Sequence, residues 1–410
     1  MKEAVFACRA CGSQEAATLL EMGNLPLANA FVSSQAATED RVTNDLTLVM
    51  CRSCRLIQLR TNVPREQLFS SYVWVTGTST TAKTYAQWFS QRLKQRYGRA
   101  RATPFLVEIA SNDGFFLQHY RDEGFQILGV DPSNLAQEAD GRGLPSIRDF
   151  FGTAVAGLIQ ARQGRADIVV ARNVLGHASE LQDLVKGVKQ LLAPDGAFIV
   201  EGPYAYFLRA DVQYDTIFHE HVSYLTIYSL AKLLERYGMK MTDVTFSPMN
   251  GGSMLCEIRH AEHPAPRNDH GFLEFETLID LNRPEGWQRF ADAVKSQRAA
   301  FTQLLRDCAA KGEVVVGYGA AAKCMTMLNY CQVSEHLLPA IGDSNPRKQG
   351  LWCPGVRIPV VSPENLMKWN PDYIMIGAWN FKEEIMRFFR EQLAYKRRFI
   401  VPLPEPMIVE

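Results

Sequence analysis

The chain has 410 residues, enough for two or three domains that each bury a core of their own. Apolar side chains make up 47% and charged ones 21%, a globular composition, and 44 Lys and Arg against 44 Asp and Glu leave no net charge to recruit nucleic acid. No apolar run reaches the ~20 residues of a membrane span, so a cytoplasmic protein with no membrane partner is expected.

Nine cysteines are an odd number, and four of them form two CxxC pairs, which favours a metal over a disulfide frame. Cys8-Arg-Ala-Cys11 and Cys51-Arg-Ser-Cys54 each set two thiolates on a tight turn, half of a tetrahedral zinc site. An arginine in each pair would offset thiolate charge. Four protein ligands leave the ion no open position, so this zinc is expected to be structural. The 39 residues between the pairs must fold over the metal, with Leu25 to Asn29 extended and Leu46 to Met50 a strand entering the second pair. Ser70 to Thr81 is rich in hydroxyls and carries Tyr72 and Trp74 two apart, either a linker or a substrate-facing loop. An amphipathic helix, Ala82 to Tyr97, follows, with a first domain boundary at 75/76.

The stretch from Phe105 to Asp131 reads as strand, small-residue turn, helix and second strand, the second strand ending in an acid 23 residues after Glu108. Its turn, Ala110-Ser-Asn112-Asp113-Gly114, lacks the close glycine pair against which a pyrophosphate packs. Glu108 at the first strand's tip would repel a dinucleotide and attract an amino or sulfonium cation, while Asp131 suits a ribose diol. S-adenosylmethionine is the cofactor this pattern fits. The Asp149-Phe150-Phe151 segment offers an acid and two rings to an adenine. The strand Ala166 to Ala171 runs into Asn173 and His177. Helix Leu181 to Leu192, a turn at Pro194 to Gly196 and strand Ala197 to Glu201 continue the alternation. In a doubly wound sheet these strand tips share one crevice.

Phe218-His219-Glu220-His221 is a second chemical concentration. If extended, it would send both imidazoles to one side and the carboxylate to the other. A metal pair, satisfied structural histidines and acid-base work all remain open here. A helix from Ser229 to Tyr237, a strand from Met254 to Arg259 and a proline-rich boundary at 262/263 lead to a long helix, Trp287 to Ala310. A second strand, glycine turn and helix start then appear in Glu313-Val-Val-Val-Gly317-Tyr-Gly319-Ala-Ala-Ala-Lys323. Backbone N–H groups and an ammonium at such a turn favour a phosphate. Asp343, Arg347 and Lys348 add charge at the same edge, and two more strands follow at Val360 and Tyr373.

CRAC and CRSC, EIASNDGF, RNVLGHA, HEHVSY and GYGAAAK with MTMLNY together resemble the zinc-containing, S-adenosylmethionine-dependent nucleotide-sugar C-methyltransferases over nearly the whole chain. The resemblance implies an α/β protein with a zinc-binding domain (1–75), a central Rossmann-like methyltransferase domain (76–262) and a second Rossmann-like α/β domain (263–410). The implied substrate is a dTDP-linked 4-keto-6-deoxysugar methylated beside the ketone, at C-3'; a monomer or weak homo-oligomer is expected.

Matched residue by residue, the resemblance makes His221 the base with Glu220 beside it. His177 becomes a donor to the enolate oxygen or an alternate base, and Tyr72 and Tyr224 become further donor candidates. It assigns the cofactor to Glu108, Ala110, Asn112, Asp113, Gly114, Asp131, Pro132, Asp149, Phe150 and Asn173. It assigns the nucleotide sugar to Tyr224, Gly317, Gly319, Lys323 and Lys348. Phe218 and Trp74 stand where the family carries tyrosines, so either the sugar differs or another group serves its oxygen. Two alternatives are weighed against this: a zinc-containing NAD(P)-dependent oxidoreductase using the Gly317–Gly319 turn, and a zinc-ribbon nucleic-acid methyltransferase.

Overall fold

Two long antiparallel strands, Ala16–Pro26 and Thr43–Cys51, pair from Ala16 opposite Cys51 to Pro26 opposite Thr43, and so carry the chain back to the second cysteine pair. The computed structural model describes residues 6–38, 43–69, 80–98, 102–247 and 249–410. Tyr72 and Trp74 lie outside the described residues. Ile57–Leu59 adds a third strand to this sheet, and the fourth, Ser223–Tyr224, arrives from far down the chain. The residues just after His221 are thereby built into the cysteine-bearing sheet.

The central sheet has seven strands among the described residues, and Phe105–Ile109 lies between Gln126–Val130 and Ala166–Arg172. The order in which strands are added reverses at Phe105–Ile109, to one side for Gln126–Val130 and to the other for Ala166–Arg172, so the crevice opens at its carboxyl end. The five strands from Ser146–Ile147 across to Leu192–Pro203 are parallel, and all but the half-buried edge strand Ser146–Ile147 are largely buried and rich in Val, Ile and Leu. Ser253–His260 and Met239–Ser247 complete the edge antiparallel. The expected turn at Pro194–Gly196 is instead absorbed into the strand Leu192–Pro203, where the pairing slips between Ala166 and Ile168. The helix Ile227–Glu235 begins two residues before the sequence suggests, because Thr226 and Ser229 close a capping box.

The third sheet has the order Val360–Val361, Ile341–Gly342, Val315–Tyr318, Tyr373–Ile376, Arg398–Val401, Met407–Val409, parallel except at its last strand. It too has a switch point, at the end of Val315–Tyr318, where the glycine turn lies. One apolar cluster draws Leu48, Phe198 and Met327 from the three units into a shared core. The α/β class and the three-part architecture are as the sequence indicates.

Candidate active site

The turn after Phe105–Ile109 does without glycine where a glycine-rich loop would use it. Ala110, Asn112 and Gly114 take φ of 55°, 53° and 76°, every second residue left-handed. At Ala110 that conformation costs about 1–2 kcal/mol, and the loop is held by backbone bonds from Ala110 and Ser111 N–H to the Val130 carbonyl, 2.7 and 3.3 Å. Asp131 completes the cradle: its Oδ2 accepts from Asn112 N–H at 2.9 Å and its Oδ1 from Ser133 N–H at 2.9 Å. Asp113 spends its carboxylate on Phe115 N–H, 3.2 Å away, at the start of helix Phe115–Asp122. Asp149 is exposed and Phe150 half-buried, with Arg65 lying 4.2 Å over the Phe150 ring. Pro132 offers its carbonyl to Arg148 at 3.4 Å, and Asn173, at φ 54°, anchors its N–H on the Glu201 carbonyl at 2.7 Å.

Glu108 is 3% exposed, and its Oε2 is buried without a hydrogen-bond partner. Burial pushes its carboxyl up to about 8, against the pull of the Arg172 guanidinium 4.0 Å away. This group's contribution to stability is therefore fully present below its unfolded pKa and lost as pH rises through about 8. Arg172 was not among the sequence candidates. It donates to Glu201 at 2.8 Å and lies 3.3 Å over the Phe116 ring, while Ser247 donates to the other Glu201 oxygen at 3.0 Å. An unfilled acceptor at a strand tip, above a left-handed turn and beside a ribose-type acid, fits an aminoacyl-nucleoside such as S-adenosylmethionine.

The HEH segment is a turn, closed by a bond from His221 N–H to the Phe218 carbonyl at 2.8 Å, and not the extended strand its spacing allows. Its side chains consequently part company. His219 Nε2–H donates to the Asn44 carbonyl at 3.1 Å, and Asn29 donates to Glu220 Oε1 at 2.7 Å, both ties to the cysteine-bearing sheet. His221 Nδ1 lies 2.8 Å from the Thr216 carbonyl and 3.2 Å from its hydroxyl. A carbonyl only accepts, so Nδ1 carries the proton and Nε2 keeps its lone pair. Thr216, not Glu220, thus sets the imidazole's tautomer. Burial, then the neighbouring His177 and Lys323, hold His221 well below the ordinary histidine range.

His177 packs edge-on against His221 with ring centroids 4.7 Å apart. Its Nδ1 meets the Glu220 carbonyl at 2.8 Å, and burial takes it down to about 4. A neutral ring with its proton committed there has no second N–H to give, which argues against donation to an enolate oxygen. Tyr224 donates to the Thr216 carbonyl at 3.4 Å, so it braces the group that holds His221.

The third unit contributes Lys323, second residue of helix Ala322–Tyr330, whose Nζ is buried without a hydrogen-bond partner. The other expected ligand groups here are spent on structure. A Cβ on Gly317 would come within 3.0 Å of Ile341 Cγ1, and one on Gly319 within 3.1 Å of Ala378. These glycines let strand and turn pack and do not open the backbone to a ligand. Lys348 Nζ donates to the Ala320 carbonyl at 2.8 Å and sits 3.4 Å from Asp343. The Gly319 turn and Asp343 repeat the Asn112–Asp131 bond, with Ala320 N–H donating to Asp343 Oδ2 at 2.9 Å. Here, though, a lysine covers the acid a ribose would need.

The sulfurs of Cys8, Cys11, Cys51 and Cys54 lie within 4.8 Å of one another, Cys8 and Cys54 at 3.5 Å and Cys11 and Cys51 at 3.6 Å. Zn–S bonds of about 2.3 Å make a tetrahedron with edges of about 3.8 Å, so the four thiolates fit zinc with no open position. Gln58 donates to Cys8 Sγ at 3.1 Å. Arg9, expected to balance thiolate charge, instead donates to the Leu59 carbonyl at 2.7 Å and to Gln58 Oε1 at 2.9 Å, while Arg52 is exposed.

A four-cysteine unit, a doubly wound sheet whose strand-tip turn and acid suit a nucleoside, and a buried neutral imidazole are together consistent with a methyltransferase. Residues 8–69 match a zinc-binding domain family, 82–244 the methyltransferase domain family, and 248–404 the C-methyltransferase C-terminal domain family. The chain is 34% identical over 405 residues to the C-methyltransferase NovU of Streptomyces niveus, covering 98% of this chain and 96% of that one. It belongs to the same C-methyltransferase family; its cofactor is S-adenosylmethionine and its metal zinc. The methyltransferase-family match ends at 244, yet Ser253–His260 lies between Leu192–Pro203 and Met239–Ser247 and is part of the central sheet.

Among solved structures, magnesium protoporphyrin IX methyltransferase of Synechocystis PCC 6803 gives a TM-score of 0.34 at 13% identity, over 45% of this chain and 86% of its own. An S-adenosylmethionine-dependent methyltransferase of Clostridium acetobutylicum ATCC 824 gives 0.35 at 14%, over 43% and 92%. Likeness this low supports no conclusion about this chain. No helix among the described residues is long and apolar enough to cross a membrane.

Proposed function

We propose that the enzyme methylates the carbon beside the ketone, C-3', of a dTDP-linked 4-keto-6-deoxysugar, with His221 as the general base. The observation that carries this reading is the His221 imidazole, fixed by Thr216, kept neutral by its surroundings and presenting Nε2 as a lone pair. A proton beside a carbonyl is too weakly acidic to leave unaided, and a positioned neutral imidazole is the group to take it. Bound S-adenosylmethionine supplies an electrophilic methyl on sulfonium. Asp131 and the Ala110–Gly114 turn would hold the nucleoside end of that ligand, and Glu108 would receive its amino group. Thr216, braced by Tyr224, holds His221 Nδ1–H, so the proton arrives at Nε2. The two histidines meet edge-on, and His177 fixes the approach of His221 from the side.

The NAD(P) oxidoreductase alternative has little to stand on. Gly317 and Gly319 are committed to packing and Lys348 lies on Asp343, the acid that would take a ribose. We assign 1–75, 76–262 and 263–410 to the zinc, methyltransferase and nucleotide-sugar units of a cytoplasmic enzyme that is monomeric or weakly associated. Incubation with S-adenosylmethionine and a panel of nucleotide-linked keto and non-keto sugars tests the assignment. Only the 4-keto compounds should gain one methyl mass unit, on carbon; methyl transfer to oxygen, or to a non-keto sugar, would overturn it.

A second expectation concerns Glu108. Its carboxyl is protonated near neutrality in the free protein, and a cationic amino group arriving beside it favours the ionised form. S-adenosylhomocysteine should therefore bind more tightly as pH rises from 6 to 8, with proton release visible in calorimetry across buffers of different ionisation enthalpy. Glu108→Gln should flatten that dependence. A wild-type affinity independent of pH over this range would remove Glu108 from the cofactor site.

A further inference from the structure

Asp215, the residue before Thr216, belongs to a second set of unsatisfied buried groups. Asp215 is 1% exposed; its Oδ2 accepts from Trp379 Nε1–H at 2.7 Å, while its Oδ1 is buried without a partner. Lys323 Nζ, also buried and unpartnered, sits 5.4 Å from the centre of the same Trp379 ring. The ammonium and the carboxyl form no ion pair with each other. Both are held by one indole, the carboxylate at its N–H and the ammonium near its ring, and Thr216, next to Asp215 in the chain, is the residue that holds His221. A buried polar group left unsatisfied destabilises the fold, and packing does not explain two such groups on one indole. Burial and Lys323 act on the Asp215 carboxyl in opposite senses, and Lys323 is one of the groups that depress His221, so all three share one electrostatic environment.

An ammonium beside a base is repelled by the proton that base acquires, so it must be there for a negative charge that forms at the same moment. Loss of a proton from carbon next to a ketone creates such a charge on the carbonyl oxygen. We propose that Lys323 is a catalytic residue that donates a hydrogen bond to the substrate's carbonyl oxygen as it becomes an enolate, and that Asp215, set by Trp379, positions that ammonium. In this step the C–H bond breaks, its proton bonds to His221 Nε2, its electron pair forms a C=C bond, and the carbonyl π pair moves to the oxygen facing Lys323. No oxidant or further reactant is required. The assignment rests on the proposed sugar C-methylation. It differs from a phosphate-binding lysine in one respect, because a diphosphate presents its charge before the reaction and would be felt in binding alone.

The test uses the full chain with dTDP-4-keto-6-deoxyglucose and compares wild type, Lys323→Met and Lys323→Arg. Exchange of solvent deuterium into the sugar without methyl donor, kcat and KM for methylation, and inhibition by dTDP alone are measured. Loss of a single preorganised donor of this kind lowers kcat by about 100- to 1000-fold. That loss is expected for Lys323→Met in both exchange and methylation, with dTDP inhibition within about threefold of wild type and partial recovery in Lys323→Arg. Replacing an unpaired ammonium with an apolar chain of similar length should leave the melting temperature equal or higher, so a folding defect will not mask the result. Unchanged kcat with weakened dTDP inhibition would overturn the proposal in favour of phosphate binding. Normal exchange in Lys323→Met would overturn it outright while leaving His221 as base. Failure of the wild-type enzyme to exchange or methylate any 4-keto sugar would overturn the underlying reading, and this inference with it.

Discussion

Replacing His221 with alanine should lower methyl transfer by about 100- to 10,000-fold, the range a general base contributes, while S-adenosylhomocysteine binds within a few-fold of wild type. The separation follows from the geometry. His221 is fixed by Thr216, whereas the turn assigned to the cofactor is held by its own bonds to Asp131 and Val130, none of which involves His221. Solvent deuterium exchange should fall in parallel, because the lost group acts on the carbon acid. Equal loss of cofactor binding and turnover would make His221 a structural histidine instead.

The pH profile supplies a check that requires no mutation. A histidine whose folded pKa is depressed stays neutral, and so stays a base, as pH falls below the usual histidine range. The acid limb of kcat should accordingly lie well below pH 6.5. An acid limb at or above that value would mean the imidazole is not in the environment described.

Removing the zinc should have an effect of comparable size by a different route. Cys51→Ser, or prolonged chelation, breaks a closed four-cysteine site, and structural zinc contributes folding free energy directly. The damage should not stay in the amino-terminal unit. Ser223–Tyr224 is a strand of the cysteine-bearing sheet, and Asn44 and Asn29 hold His219 and Glu220 within the turn that carries His221. Loss of the metal should lower melting temperature and solubility, and methylation should fall with the folded fraction, with no selective effect on the chemical step. A soluble, fully folded Cys51→Ser protein lacking only turnover would show that the metal has a chemical role. Metal analysis of the wild type should find one zinc per chain.

Much of this was legible in one dimension because it depends on local spacing. Two CxxC pairs place four thiolates on two tight turns wherever those turns meet. A strand ending in Glu108, a small-residue turn and a second strand ending in Asp131 specify a nucleoside crevice, since parallel strands put their tips on one edge. Apolar periodicity also marks the strands Phe105–Ile109, Gln126–Val130 and Ala166–Arg172 and the long helix ending at Ala310, but helices Leu135–Gly141 and Thr153–Gln163 and the strands Arg398–Val401 and Met407–Val409 are not read from it.

What the one-dimensional pattern does not carry is how distant segments share out the donors and acceptors. The spacing of HEH allowed a strand with two imidazoles on one side. A turn prevailed because Asn29 and Asn44 bind two of its side chains and Thr216 the third. Glycines 317 and 319 looked like a phosphate loop, but the space they leave is filled by Ile341 and Ala378. Arg172, Thr216 and the Asp215–Trp379 bond went unseen for the same reason: the partners of the last stand 164 residues apart and meet only when the third unit closes over the second.

The amino-acid order by itself determined the metal, the cofactor class and the two doubly wound units, because each is written in contacts between near neighbours or in a repeating apolar period. Only the tertiary structure decided which histidine keeps an uncommitted ring nitrogen, which group sets its proton, and which buried ammonium is left without a partner. Those outcomes depend on long-range pairing among three sheets, where each buried donor or acceptor satisfied by one unit is withdrawn from the chemistry of another.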